Sequence, residues 1–323
     1  MAICLTNPGR IMQLILRDMK PGSPTYGRDM ITLDILGPTG GEQGIHLLDG
    51  SWEDLWHAPI TQVRESYAYQ EGSTLDDVPR VDERLCTLRI GTIGRTTLLW
   101  EQIDDLLWRV LGPSWDCYLR VFSEISPPRE LRLRWEKKPK PLTQRDPGRT
   151  KALAWEVYTL SVDPYWYAPE LSYSIKRSQM TEINPTSGAP QTGTGVWQGT
   201  LPMLNPADVE CWPQFATNTL TANTVVWLPD GLSGNTVQVP AVGALGPGKE
   251  WLIRTFPLDE TLLALDDSQP WADLNGQAFE SAVPKGTGSP VQVPIRIQGG
   301  SPDTEIHVYY IQRYSRFMGG EAV

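Results

Sequence analysis

Catalysis or metal binding would show first in the cysteines, histidines and carboxylates of this 323-residue chain, and their spacing argues against both. Cys4, Cys86, Cys117 and Cys211 are widely scattered, with no C-x-x-C pair, which removes the common zinc spacings and the thioredoxin-type dithiol. Reduced, mostly buried thiols are the expectation. His46, His57 and His307 are equally dispersed. His46 and His57 lie near Asp49 and Asp54, a looser arrangement than metal ligands adopt. No G-x-S-x-G, H-E-x-x-H or P-loop occurs, and carboxylates spread over an acidic surface single out no general acid and base. The residues therefore point to no catalytic group, no metal and no cofactor.

Two other groups carry binding chemistry. Between Arg129 and Lys151 lie Arg132, Arg134, Lys137, Lys138, Lys140, Arg145 and Arg149, interleaved with Pro139, Pro141 and Pro147. In a chain of formal net charge -10 such a cluster is unusual. It reads either as an arm that meets an acidic partner or an identical subunit, or as a solvated loop tip. The tryptophans are the second group: Trp227, Trp251 and Trp271 could stack on sugar rings, whereas Trp212 sits in a strand pattern where burial is the simpler account.

The acidic balance excludes a surface built to hold nucleic acid, which requires Lys and Arg to meet phosphates; it would instead let DNA pass without sticking. No run of about 18 apolar residues is present to span a membrane. Residues 1–8 lack the charged region and apolar stretch of a secretory signal, so maturation in a cytosol is expected.

The elements that must position these groups are mostly strands. Prolines and glycines are frequent, and apolar residues alternate in 12–16, 31–36 and 81–90. One helix stands out over 98–111: Leu99, Ile103, Leu106, Leu107 and Val110 recur at helical spacing, Thr96 or Thr97 can cap it, and Gly112-Pro113 ends it. Trp100, Asp104 and Asp105 fall toward other faces, and Trp108 is placed either on the sheet or against a neighbouring subunit. A strand at 131–135, with Leu131, Leu133 and Trp135 on one side and the arginines on the other, feeds the basic segment as a long loop. The return strand, 154–162, stops at Asp163-Pro164 because proline cannot donate to a sheet ladder.

Residues 178–195, rich in Thr, Ser, Gly and Pro, read as a linker between domains 1–177 and 196–323. Beyond it, short strands at 196–203, 209–215, 224–228, 236–239, 250–255, 261–265, 291–297 and 305–313 follow the spacing of an all-β sandwich. Asn205-Pro206 is read as a turn releasing a strand with Val209, Cys211 and Phe215 on one face. The fold class expected is mainly β with a single substantial helix.

Four phrases carry a family resemblance: 91–113 with its tryptophan-bearing helix, 155–166 ending in Asp163-Pro164-Tyr165-Trp166, 205–213 with Asn205-Pro206-Ala207-Asp208 and Trp212-Pro213, and Val308-Tyr309-Tyr310 with Arg313-Tyr314. Together and in this order, across nearly the whole chain, they resemble the distal tail proteins (Dit) of long-tailed, non-contractile bacteriophages (siphophages), known in phages of actinobacteria as minor tail proteins. The resemblance implies an N-terminal tail-tube-like, ring-forming β domain and a C-terminal galectin-like β-sandwich. It implies six copies in a ring at the virion's tail tip or baseplate, assembled in the host cytoplasm, with genomic DNA passing through the lumen without specific binding. The partners implied are the tail tube protein, the tail hub or tail-associated protein and the tape measure protein, with no membrane insertion. The basic cluster is then a candidate intersubunit or tube contact. The family's second phrase carries Gly where this chain has Ala207, so a different turn is expected there. The rival reading is a carbohydrate- or receptor-binding minor tail protein acting through the sandwich. An enzyme such as a cell-wall hydrolase finds no motif to support it.

Overall fold

A computed structural model describes residues 10–20, 23–51, 53–66, 71, 73–75, 79–143, 145–218, 224–239, 251–257, 259, 261–264, 274 and 276–321. It divides the chain into two compact units, one of Met1–Ala168 with Tyr314–Gly319 and the other of Pro169–Arg313 with Gly320–Val323.

The first unit contains β1 (Ile11–Arg17), β2 (Asp29–Leu36), β3 (Ile45–Leu47) and the two-residue strands β4 (Ile60–Thr61), β5 (Arg64–Glu65), β6 (Thr74–Leu75) and β7 (Arg80–Val81). There follow β8 (Arg84–Ile93), the helix α1 (Thr97–Val110), β9 (Cys117–Phe122), β10 (Arg129–Pro141), the single turn α2 (Pro147–Thr150), β11 (Ala152–Ser161) and β12 (Trp166–Tyr167). The main sheet has the order β2-β1-β9-β10-β11-β8-β3, every neighbour antiparallel. β10 serves two partners in turn: Arg129 to Leu133 pair with β9, and from Arg134 onward the strand pairs with β11. The period-2 side-chain alternation of strands puts Leu14, Leu33, Leu119, Leu131, Leu88 and Val157 into the core.

Thr96 caps α1, its hydroxyl accepting from the Leu99 N–H at 3.1 Å, and the Leu111 N–H closes the last turn on Leu107. The buried stripe is Trp100, Leu107 and Val110, about one residue round from the one read in the sequence. Leu99 is turned out, and Trp100 turns in because Gly94 lets the backbone at Trp100 approach to a distance no Cβ would permit. The Trp100 indole donates to Thr92 Oγ1 at 3.1 Å. Asp104 faces the sheet rather than solvent: its carboxylate accepts from Thr92, Trp108 and Trp155. Trp108 stands edge-on to both Trp135 and Trp155, so it belongs to the unit's own packing. The basic segment is likewise not a loop. β10 runs as strand through Pro141, with register shifts against β11, and α2 with Asp146 as its cap forms the end.

Residues Tyr314–Gly319 return to complete this unit. Tyr314 and Phe317 are buried, with Phe317 4.7 Å from the Trp56 ring and 5.9 Å from Trp166. Two buried arginines hold the segment's backbone. Arg129 donates to the carbonyls of Arg316 and Gly319 at 2.6 and 2.8 Å, its guanidinium 3.4 Å from the Tyr314 ring centre. Arg84 donates to carbonyls of Asp54, Leu55, Pro164 and Ser315. Arg84 shares the buried face of β8 with Cys86, Leu88 and Ile90.

The second unit consists of β13 (Leu171–Lys176), β14 (Thr181–Glu182), β15 (Val196–Asn205), β16 (Gln214–Asn218), β17 (Val225–Pro229), β18 (Thr236–Val239), β19 (Trp251–Arg254), β20 (Leu262–Ala264), β21 (Thr287–Gln298) and β22 (Glu305–Tyr310). They form two five-stranded sheets, β13-β22-β16-β19-β20 and β14-β15-β21-β17-β18. Phe215, Ile253 and Val308 of one and Met203, Val226 and Ile297 of the other share a single hydrophobic core, which makes the unit a β-sandwich. Tyr310 crosses it, its hydroxyl donating to the Pro202 carbonyl at 2.6 Å, and burial pushes that phenol above its ordinary range. The two-residue strand β23 (Arg313–Tyr314) belongs to neither of these sheets and pairs with β12.

The chain thus divides at Ala168, ahead of 178–195. That segment lies inside the second unit, where β14 pairs with β15 and the Gly195 N–H bonds Glu182, so its polar composition serves turns rather than a linker. The strand expected at 209–215 begins only at Gln214. Before it, Asn205 Nδ2 donates to the carbonyls of Val209, Val283 and Pro284 while its Oδ1 accepts from Ala207, and Cys211 bridges Val283. This side-chain-built turn needs no left-handed residue at 207: among the described non-glycine residues the positive φ belongs to Lys151.

Candidate functional site

The chemistry-bearing groups of the first unit collect on the outward face of β2-β1-β9-β10. Register brings Arg17, Asp29, Arg120 and Glu130 together across four strands. Arg17 bonds Glu130 with two nitrogens, at 3.0 and 2.9 Å, and Asp29 at 2.9 Å; Arg120 bonds Glu130 at 2.7 Å and Asp29 at 2.8 Å. The Arg17 guanidinium also lies 4.4 Å from the Tyr118 ring centre. Partial burial opposes the charge on Arg17, yet the two carboxylates outweigh it and hold its pKa above the ordinary range. Burial pushes the Asp29 carboxyl up, and the bonds and charges of Arg17 and Arg120 overcome that and hold it below the usual carboxylate range. These residues lie far apart in sequence, and only the strand register could have assembled them.

The seven basic residues separate into three groups. Arg132 and Arg134, alternate residues of β10, both turn to Asp116, with Nε to carboxylate distances of 2.5 and 2.6 Å. Lys137, Lys138 and Lys140 are exposed on the far half of β10. Lys137 sits 4.2 Å from the Tyr158 ring centre and 3.6 Å from Glu136. Beside them the Glu156 carboxylate is held below its usual range, first by the Tyr158 hydroxyl and then by Arg89. Arg145 and Arg149 flank and occupy α2. Arg145 lines a cleft of about 760 Å³ with His46, Leu48, Gly91, Ile93 and Ala154, on the β3–β8–β11 side.

A second cleft, of about 580 Å³, opens at Asp116. Arg17, Lys20, Arg132 and Arg134 line it together with Met19, Met30 and Trp115. Trp115 is fixed there: its indole lies over Gly112, where a Cβ would collide with the ring, and its N–H donates to the Val110 carbonyl at 3.2 Å. Sequence reading passed over this cleft because Met19, Met30 and Trp115 belong to no periodic segment.

Of the tryptophans considered for sugar stacking, Trp227 is half-buried on β17 opposite Arg296 and Gln238. The side chain of Trp251 and all of Trp271 lie outside the described residues. Cys86, Cys117 and Cys211 are free and buried, and burial pushes each thiol up to about 12; Cys4 lies outside the described residues. Among the described residues no group of His, Cys, Asp and Glu could hold a metal ion, and no helix is long and apolar enough to cross a membrane.

No protein-family model matches the sequence, and no curated protein matches it. Solved phage structures share the fold. The crystal structure of SPP1 Dit, described as a paradigm of the hub adsorption apparatus in phages infecting Gram-positive bacteria, aligns with a TM-score of 0.51 at 12% identity, over 84% of this chain and 98% of that one. The phage P2 baseplate in its activated conformation with Ca aligns with a TM-score of 0.52 at 9% identity, over 93% of this chain and 97% of that one. The same baseplate with Sr gives 0.52 at 10% identity with the same coverage. The chain therefore shares its mainly β fold with SPP1 Dit and with a chain of the phage P2 baseplate.

Proposed function

We propose that this chain is a distal tail protein of a long-tailed, non-contractile bacteriophage, a non-enzymatic part of the virion's tail tip. Six copies form a ring that joins the tail tube to the hub or baseplate and lets DNA pass through its lumen. The observation that carries this reading is the end-to-end match of fold: nearly the full length of each Dit or baseplate chain is covered by nearly the full length of this one, both units included. The partners that follow are copies of itself, the tail tube protein, the tail hub protein and the tape measure protein.

The charge pattern supports passage without capture. Arg17 and Arg120 each already bond two carboxylates, which leaves few of their donors for phosphate, and the chain carries a net charge of -10. A ring requires heterologous contacts that close. The exposed cations of β10, Lys138 and Lys140, with Arg132, Arg134, Lys137, Arg145 and Arg149, are the proposed intersubunit or tube-facing contact.

Multi-angle light scattering of the purified chain tests the ring. The expected result is a closed species near six times 36.1 kDa, alone or on addition of tube protein. A chain that stays monomeric under both conditions would sink the reading.

A further inference from the structure

The outward face of the second unit's sheet β13-β22-β16-β19-β20 carries a set of side chains that the ring reading does not use. Residues directly opposite one another in antiparallel strands share a face, with Cβ atoms about 5 Å apart. Register therefore sets Ser172, Tyr309, Gln214 and Arg254 in one row across four strands. The next row is Ser174, His307, Ala216 and Leu252. The alternate residues Phe215, Ile253 and Val308 belong to the core, so both rows look outward.

This face differs from an ordinary solvated sheet surface in three ways. The rings of His307 and Tyr309 stand 6.2 Å apart and nearly parallel, with 11° between their planes. Ala216, opposite His307 on one side and Leu252 on the other, leaves a gap among larger side chains. Gln214 and Arg254 are half-buried, and among the described residues neither side chain has a hydrogen-bond or ion-pair partner. Two residues along from them, Trp212 and Phe256 meet edge-on at 5.9 Å. A guanidinium fork presents several donors in one plane, and an amide beside it adds a donor and an acceptor. Hydroxyls on adjacent carbons complete that pattern, and the C–H face of a sugar ring suits an aromatic wall. Lys176 and Glu305, opposite each other in the row beyond, balance in sign, which leaves Arg254 as the uncompensated charge of these rows among the described residues. A polyanion such as nucleic acid is held by many cations rather than one.

We propose that this face is a saccharide-binding site, with a single pyranose ring seated over Ala216. The C–H face of the sugar lies against the Tyr309 and His307 rings, and its adjacent hydroxyls bond the Arg254 guanidinium and the Gln214 amide. The site lies wholly within the second unit and does not depend on ring formation. Trp227, the tryptophan considered for stacking from the sequence, is on the other sheet and takes no part.

The test is saturation-transfer difference NMR of the full chain with the methyl glycosides of glucose, galactose, mannose, N-acetylglucosamine and glucuronic acid, each at about 10 mM, a concentration that detects millimolar binding. Transfer to at least one glycoside is expected, strongest at its ring C–H protons. Affinity for that glycoside should fall at least about tenfold in Gln214→Ala/Arg254→Ala, and again in Ala216→Leu, which fills the gap and removes no polar group. Trp227→Ala should leave it unchanged. Because Gln214 and Arg254 have no side-chain partner to lose, their double variant should unfold at the parent's urea midpoint, which separates lost binding from lost fold. No transfer to any of the five glycosides, or unchanged affinity in either variant, overturns the proposal. So does affinity that is lost only with Trp227→Ala, which would put the sugar on the other sheet.

Discussion

Deleting the chain after Arg313 should abolish folding of the first unit, although that unit's main sheet is complete by Tyr167. The magnitude follows from what residues 314–319 do. Tyr314 and Phe317 are 1% and 0% exposed; returning two such side chains to water forfeits ~2 to 3 kcal/mol each. The deletion also strips Arg129 of two carbonyl acceptors and Arg84 of one. Each donor of a buried guanidinium left unsatisfied costs ~1 to 3 kcal/mol. The total, ~7 to 15 kcal/mol, is as large as the whole stability of an ordinary domain.

A single change grades the effect. Phe317→Ala leaves both arginines their carbonyls and removes an aromatic ring packed between Trp56 and Trp166, for ~3 to 5 kcal/mol. Phe317→Leu should cost less than half of that, since most of the volume remains. Urea titrations read by tryptophan fluorescence, with far-UV circular dichroism and proteolysis in parallel, resolve the three chains. If the truncated chain keeps the wild-type midpoint to within about 1 kcal/mol, the two arginines do not depend on this segment and the reasoning is wrong.

Three further outcomes are expected. Asp104→Ala, which removes the acceptor shared by Thr92, Trp108 and Trp155, should lower stability by about 2 to 4 kcal/mol and collapse the near-UV circular dichroism of the tryptophan cluster; an unchanged spectrum counts against the packing described. Because the folded Asp29 carboxyl lies below its unfolded range, its contribution is complete above the ordinary aspartate pKa near 3.9 and lost as pH falls through the lower folded value. Stability measured in acid should therefore drop less in Asp29→Asn than in the parent. Cys86, Cys117 and Cys211, with thiols near 12, should resist a thiol reagent at pH 8 in the native chain and react together on unfolding; labelling of any of the three in the native state contradicts their burial.

The strands and the helix were legible because periodicity is a local property. The residues of β1, β2, β15, β18 and β21 alternate or run apolar within their own bounds, and Thr96 with Gly112-Pro113 brackets α1. Three kinds of information were not local. The face of α1 turned by about one residue because Gly94 admits Trp100 and because Asp104 has indole donors waiting on the sheet, neither of which a hydrophobic count can register. The 178–195 segment looked like a linker because turn residues and linker residues are the same residues, and only pairing with β15 separates the two cases. The return of Tyr314–Gly319 was hidden because the acceptors of Arg84 and Arg129 are backbone carbonyls, which have no sequence signature.

The basic cluster shows how far a charge run read along the chain can differ from the charge available for assembly. Seven cations between Arg129 and Lys151 invite the picture of a charged arm. In the folded unit they are not equivalent. Arg132 and Arg134 divide one carboxylate between them, so neutralising both should be felt by Asp116 as well as by any partner. Lys137 is engaged by Tyr158 and Glu136, whereas Lys138 and Lys140 are exposed. Reversal of charge at Lys138 and Lys140 should accordingly leave the unfolding midpoint within about 0.5 kcal/mol of the parent while weakening ring formation. The same reversal at Arg132 and Arg134 should lower both together. Loss of assembly with equal loss of stability at all four positions would mean that ring and fold draw on the same contacts, and that the division made by Asp116 has no functional meaning.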